Sequence, residues 1–200
     1  MRICFFMIML FLPTLFSFTD NSNSEGESEY LCINDTEAKM AALVNEYRRS
    51  KNLPPIPVSI SLTKVARLHV NDLAENFTPG ERCNLHSWSK DPRWSSCCYT
   101  PDHRRAACMW DKPRELTNYK GDGYEIAFSS TYHYSSDVEF IKDALNGWKS
   151  SKGHNDILIN GGKWKTASWK AMGVAIQGDY AVIWFGELPD KEGEPFLCKY

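Results

Sequence analysis

Two adjacent cysteines, Cys97 and Cys98, stand near the middle of this 200-residue chain and restrict its fold more than any other feature. Neighbouring cysteines are too close for an unstrained mutual bridge, so each must reach a different partner. Of the seven cysteines, Cys4 falls in an apolar leader, which leaves Cys32, Cys83, Cys97, Cys98, Cys108 and Cys198. That number is even, and no C-x-x-C spacing marks a structural zinc site. Three disulfides formed in an oxidising compartment are therefore expected. Cys97 and Cys98 should bond to different partners among Cys83, Cys108, Cys32 and Cys198, with pairs inside the 83–108 segment favoured.

The leader agrees with that compartment. Arg2 precedes an apolar run from Ile3 to Phe16 that is too short to cross a bilayer comfortably and is followed by small and polar residues. Residues 1–19 thus predict a cleaved signal peptide, with cleavage between Ser17 and Asp20, and a secreted, extracellular protein. Residues 20–29, acidic, Ser-rich and without apolar side chains, form a lead-in that cannot contribute to a core. Residues 30–200 make one domain. No second apolar run approaches the roughly 18 residues of a membrane helix, so no membrane span is expected. A net charge of −2, with 24% charged residues, lacks the dense basic face that nucleic-acid binding needs. The domain reads as a monomer, with sequons at Asn34 and Asn76 as candidate glycosylation sites.

Hydrophobic spacing then places the elements. Met40, Leu43, Val44 and Tyr47 follow the i, i+3, i+4, i+7 rule behind a cap at Asn34 or Asp35, with Glu37 in the first turn, and the helix stops before "NLPPIP". Leu62, Val65, Ala66, His69 and Leu73 repeat the pattern behind Ser61. His69 lies on the apolar face, where a lone histidine reads as a core residue with a satisfied ring nitrogen. A third helix is marked by Val138, Ile141, Leu145 and Trp148, capped by Ser136 or Asp137. "MGVAIQ", Gly178-Asp179 and "YAVIWFGEL" read as a β-hairpin with glycine where a type II′ turn favours it. Helices followed by strands and disulfides imply a layered α/β structure with an antiparallel sheet.

The segments "LVNEYRRSKNLPPIPVSISLTKVARLHVNDLAEN", "LHSW", "GYEIA", a helix ending in Trp148, "KGHNDIL" and "KAMGVAIQGDYAVIWFGE" occur in an order that resembles the CAP superfamily of cysteine-rich secretory proteins, antigen 5 and pathogenesis-related proteins, also called the SCP domain. The resemblance runs from about residue 36 to about residue 187. It implies a three-layer α-β-α sandwich with a mainly antiparallel central sheet, and a central cleft lined by two histidines and two glutamates. His86 in the His-Ser segment and His154 in the Gly-His segment match the histidines. Glu125 reaches the first glutamate position only across a one-residue gap, since an ungapped match places Tyr124 there. The second falls on Ser151. Gly153 is expected in the left-handed conformation, turning His154 into the cleft.

Two neutral imidazoles can bind zinc or a related divalent ion with water completing the shell, although a durable site wants three protein ligands. His86 and His154 are therefore the candidate metal ligands, and no cofactor is required. The other reading is a histidine pair ordered by Glu125, Ser87 or Ser151. The expected function is a non-enzymatic module binding a lipid, sterol or protein partner; the alternative is a secreted hydrolase using His86, His154 and Glu125, with Ser87 a conceivable nucleophile. A Cys-rich insertion around residues 88–123, including His103 beside Arg104 and Arg105, reads as a recognition surface or a stapled loop, with His103 exposed. Replacing Cys108 should destabilise the domain by about 2–5 kcal/mol in chemical denaturation, and free thiols in non-reduced, denatured protein would count against three bridges.

Overall fold

The computed structural model describes residues 31–78 and 82–199. The expected signal peptide and lead-in lie outside the described residues. All six remaining cysteines are paired, as Cys32–Cys198, Cys83–Cys98 and Cys97–Cys108. The adjacent cysteines thus go to different partners, and two bridges close within the 83–108 segment.

The first helix, α1 (Asp35–Arg49), opens on a reciprocal cap: the Asn34 side chain accepts the Glu37 N–H at 2.8 Å, and the Glu37 carboxylate accepts the Asn34 N–H at 2.9 Å. The second, α2 (Ile60–Asn76), is capped by Ser59, whose hydroxyl accepts the Leu62 N–H at 3.0 Å. Ser61, the cap expected from sequence, lies one residue inside the helix and bonds Asp190 instead. Further along come two short helices, α3 (Ala107–Trp110) and α4 (Lys112–Leu116). After them, α5 (Asp137–Ser150) starts behind Ser136 and is followed at once by α6 (Lys152–Leu158). Val138, placed on the buried stripe of α5 by its spacing, is 41% exposed; Phe140 and Ala144 join Ile141, Leu145 and Trp148 inside. Val138 lies in the first turn of the helix, ahead of the buried stripe that begins at Phe140.

Three strands form an antiparallel sheet in the order β2 (Tyr124–Ser129), β4 (Tyr180–Gly186), β3 (Ala171–Gln177). The β3–β4 hairpin turns at Gly178, whose φ of +54° belongs to the region glycine tolerates, while Asp179 stays out of it, as a type II′ turn requires. Alternation along β4 divides the core in two. Ala181, Ile183 and Phe185 face α1 and α5, whereas Val182 and Trp184 face α2. The sheet is the middle layer of a three-layer α-β-α sandwich. Two short strands, β1 (Cys32–Ile33) and β5 (Phe196–Leu197), pair beside it in parallel and carry the Cys32–Cys198 bridge at their edge.

On the α2 side, β3 presents only Ala171, Gly173 and Ala175, which lets the helix lie very close. A Cβ on Gly173 would come within 2.1 Å of the Leu62 backbone carbonyl carbon. That neighbour is main chain and cannot swing away, so Gly173 fixes the spacing between sheet and helix. Gly173→Ala should cost at least the roughly 1–3 kcal/mol typical of overpacking, read as a lower unfolding midpoint; an unchanged midpoint would show that α2 does not sit this close.

Candidate binding cleft

Glu125, the second residue of edge strand β2, points toward α2, and its side chain is fully buried. Its two oxygens take two imidazoles: Oε1 accepts from His69 Nδ1, and Oε2 accepts from His86 Nδ1 at 2.8 Å. The other His69 nitrogen, Nε2, meets the Ser87 carbonyl at 3.0 Å. Both nitrogens of His69 therefore face acceptors, and the ring must carry both protons. It is an imidazolium with no exposed surface, stacked on Trp88 with centroids 4.4 Å apart and planes within 8°. The Lys112 ammonium lies 5.1 Å from the same indole.

The electrostatics agree. Burial alone would push His69 below its usual value, but the attraction and hydrogen bond of Glu125 outweigh it and raise the ring above 6.5. Burial would likewise raise Glu125, yet the charge and hydrogen bond of His69, joined by the bond from His86, hold it below 4.5. His86 then gives its Nδ1 proton to Glu125, which leaves Nε2 for the cleft.

The His86 loop is stitched to α2 at positions 69 and 72, one turn apart on the same face. His69 holds the Ser87 carbonyl, while the Asp72 carboxylate accepts the Ser89 N–H at 2.8 Å. His86 approaches from this layer; His154 comes from the other. Tyr47 of α1 donates to Asn155 Oδ1 at 2.8 Å, and Arg48 donates to the Leu158 carbonyl at 2.7 Å and to Asn160 Oδ1 at 2.8 Å. A buried cation on the last carbonyls of α6 complements the negative end of that helix and fixes its direction. The His86 and His154 rings face each other with centroids 6.4 Å apart and planes inclined at 70°.

Gly153 does not make the turn assigned to it. It is the second residue of α6, with φ outside the positive region. The change of direction belongs to Ser151, whose extended backbone (φ −89°, ψ 116°) separates α5 from α6 and aims His154 inward. No described residue hydrogen-bonds the His154 ring; burial first, then the nearby His86, push it below 6.5, so it is neutral at pH 7.

The cleft between the rings has a volume of about 230 Å³ and includes Glu125 at its base and Ser151 on its rim. Its far wall is aromatic. Tyr124 meets Trp110 at 5.6 Å and Trp164 at 4.8 Å, edge to face. The insertion supplies Tyr99 and His103, linked by a 2.8 Å bond between the hydroxyl and Nδ1; His103 is exposed, as expected, yet stands at the cleft mouth. Ser87, expected in the cleft, does not line it, and its side chain bonds neither cleft histidine. Its hydroxyl accepts the Tyr99 N–H at 2.9 Å and turns back to the Tyr99 carbonyl. Asn34 is held in the α1 cap, and Asn76 is exposed at the end of α2 with its amide on Asp72.

For a metal, two imidazole nitrogens sharing one zinc lie no more than about 4.2 Å apart, twice a bond of about 2.1 Å, and the ring centroids here are 6.4 Å apart. A third protein ligand is missing: among the described residues no group of three or more His, Cys, Asp or Glu side chains could hold an ion. The donor set fits a weak two-histidine site only. Sequence reasoning missed His69 as a partner of Glu125, and it missed Trp110 and Trp164 as cleft walls. The polar residue on an apolar helical stripe was the one signal for His69.

A profile of the Cysteine-rich secretory protein (CAP) family matches residues 41–181, and the chain belongs to that family. Among solved structures, an outer surface protein of Borrelia burgdorferi is similar at a TM-score of 0.51 and 18% identity, over 76% of this chain and 92% of that one. An extracellular protein of Bacillus anthracis containing an SCP domain is similar at 0.51 and 19% identity, over 76% of this chain and 40% of that one. At these identities the likeness concerns the fold. A search of curated proteins finds no significant match.

The buried pair makes a signed prediction. His69, raised above 6.5, contributes stability that is complete below that pH and is lost as pH rises through its folded value; Glu125, lowered below 4.5, contributes stability present above that pH and lost as pH falls through its own. His69→Leu should cost about 3–5 kcal/mol by leaving a buried carboxylate short of its partner, and adding Glu125→Leu should recover most of that loss. Ring-nitrogen NMR at neutral pH should find both His69 nitrogens protonated; a singly protonated ring would overturn the assignment.

Proposed function

We propose that this protein is a secreted, non-enzymatic binding module that holds a small molecule in the His86–His154 cleft. The observation that carries the reading is the cleft's composition. Two imidazoles and three aromatic walls surround about 230 Å³, Ser87 lies outside that lining with its hydroxyl on backbone, and the Ser151 hydroxyl on the rim bonds neither histidine. Acyl-transfer chemistry needs a nucleophile hydrogen-bonded to a base, and no described Ser or Cys side chain bonds either cleft histidine. The disulfides fit secretion.

Size narrows the ligand. Pockets for drug-sized molecules run to about 300–1,000 Å³, so a ligand enclosed here is smaller, and a sterol or lipid would be held elsewhere on the surface. Partner proteins would meet the insertion that carries Tyr99, His103 and the two local bridges.

Zinc is the second reading, favoured by the two imidazoles that meet across the cleft. His86 Nε2 and a nitrogen of His154 would hold it, and the ion would supply Lewis acidity. Affinity should be weak for want of a third ligand, should fall in acid as His154, whose proton burial and the nearby His86 disfavour, finally takes one, and should vanish in His154→Ala.

The test pairs elemental analysis with a broad screen for ester, peptide and glycoside hydrolysis on the wild type and His154→Ala. No turnover in either protein is expected. Turnover in the wild type that His154→Ala abolishes would replace the binding module with the hydrolase.

A further inference from the structure

We infer that the cleft ligand is a small uncharged aromatic alcohol, a phenol, with its hydroxyl between His86 and His154 and its ring against Trp110, Tyr124 and Trp164. The inference rests on reading the cleft as a binding site and names the ligand's chemistry.

The hydrogen-bond inventory leads to a hydroxyl. Glu125 accepts from His86 Nδ1 at 2.8 Å, so that N–H is committed there and Nε2 is the nitrogen left to the cleft, an acceptor in the neutral ring. A ligand must donate to it. Glu125 cannot release that proton by accepting less, because its other oxygen is already taken by the doubly bonded His69. His154 has no partner among the described residues and can turn an N–H toward the same point. A hydroxyl satisfies both rings, donating to His86 and accepting from His154. A carboxylate or an ether has no hydrogen for His86.

Charge points the same way. The base of the cleft is neutral as a unit, since the Glu125 carboxylate is balanced by the His69 imidazolium. Asp156, the other carboxylate at the wall, is bonded to Lys152 at 2.7 Å. An ammonium ligand would therefore find no free anion. Lys163, whose ammonium lies 4.9 Å over Trp164, is the feature that would draw an anionic ligand, so a carboxylate probe belongs in the test.

The walls supply the ring. Trp110, Tyr124 and Trp164 are each only partly buried, and Tyr124 is edge-on to both indoles. A six-membered ring entering beside them gains the offset or T-shaped contacts that aromatic groups prefer, worth about 0.5–1.5 kcal/mol per pair beyond burial. The volume of about 230 Å³ takes one such ring with a short substituent.

The experiment uses the full secreted chain and four matched probes: p-cresol, p-methylanisole, p-toluate and p-methylbenzylamine, titrated by calorimetry and tryptophan fluorescence. p-Cresol should bind about tenfold more tightly than p-methylanisole, the worth of one or two hydrogen bonds. It should also shift the ring-nitrogen NMR signals of His86 and His154. His154→Phe, which keeps the bulk of a side chain that makes no internal hydrogen bond, should lose the preference for p-cresol and keep the affinity for p-methylanisole. Equal affinities of p-cresol and p-methylanisole would overturn the hydroxyl assignment while leaving the binding module standing. Tighter binding of p-toluate or p-methylbenzylamine would overturn it in favour of a charged ligand. If no probe binds to demonstrably folded protein the phenol is wrong, whereas the binding module itself falls only to turnover in the hydrolase screen. Should His154→Phe fail to fold, unmoved His86 signals in wild type with p-cresol overturn the proposal alone.

Discussion

Everything at the centre of this molecule depends on a carboxylate buried where the sheet meets α2. An isolated ionised Glu125 would cost several kcal/mol in desolvation, and the fold tolerates it because an imidazolium and a second imidazole occupy both oxygens. That arrangement couples three parts of the chain. Glu125 comes from edge strand β2, His69 from the middle of α2, and His86 from a loop that has no regular structure of its own. Locally, the Asn84 side chain accepts the His86 backbone N–H at 3.0 Å, and the ring itself is oriented by Glu125. The ring's tautomer is set by a hydrogen bond made on the side away from the ligand.

The opposite wall has a separate origin. α6 is only seven residues long and would be marginal alone, yet it carries His154 to within 6.4 Å of His86. Its position comes from α1, through Tyr47 and the buried Arg48, and from Trp169, which donates to the Ile157 carbonyl at 2.9 Å. The cleft therefore lies between the two outer layers of the sandwich, at the open edge of β2. Each histidine is anchored to its own layer, and a ligand bridging the rings would bridge the layers.

The periodic parts of this structure could be read from sequence because they follow local rules. The helical stripes of α1 and α2, the Asn34 cap, the β3–β4 hairpin and the dispersal of Cys97 and Cys98 are each set within a dozen residues or by elementary geometry. What escaped depends on contacts between distant segments. The His69–Glu125 bond spans 56 positions, and nothing around His69 announces it beyond a polar side chain on an apolar face. Val138 misled because periodicity gives a stripe and not its edge. Gly153 misled because glycine next to a histidine suggested a left-handed turn, whereas Ser151 makes the break with an ordinary extended backbone. Trp110 and Trp164 went unmarked, since an aromatic residue carries no sign of which neighbours it leaves uncovered.

Two departures from the pattern that the family resemblance implies belong together. The expected cleft balances two carboxylates against two histidines and so carries anionic character toward a cation. Here the resemblance puts Ser151 at the second carboxylate position, Glu125 is balanced from below by His69, and Asp156 at the wall is paired with Lys152. The first two remove negative charge from the same small volume. The Coulomb energy of a dication with a single unpaired carboxylate would be large in so enclosed a site, and that attraction is absent. What remains is a pair of imidazoles beside an aromatic wall, a composition that favours directional hydrogen bonding and ring packing over ion capture. The buried imidazolium is thus both the counterion that lets Glu125 exist in the core and the charge that leaves the base of the cleft without an unpaired carboxylate.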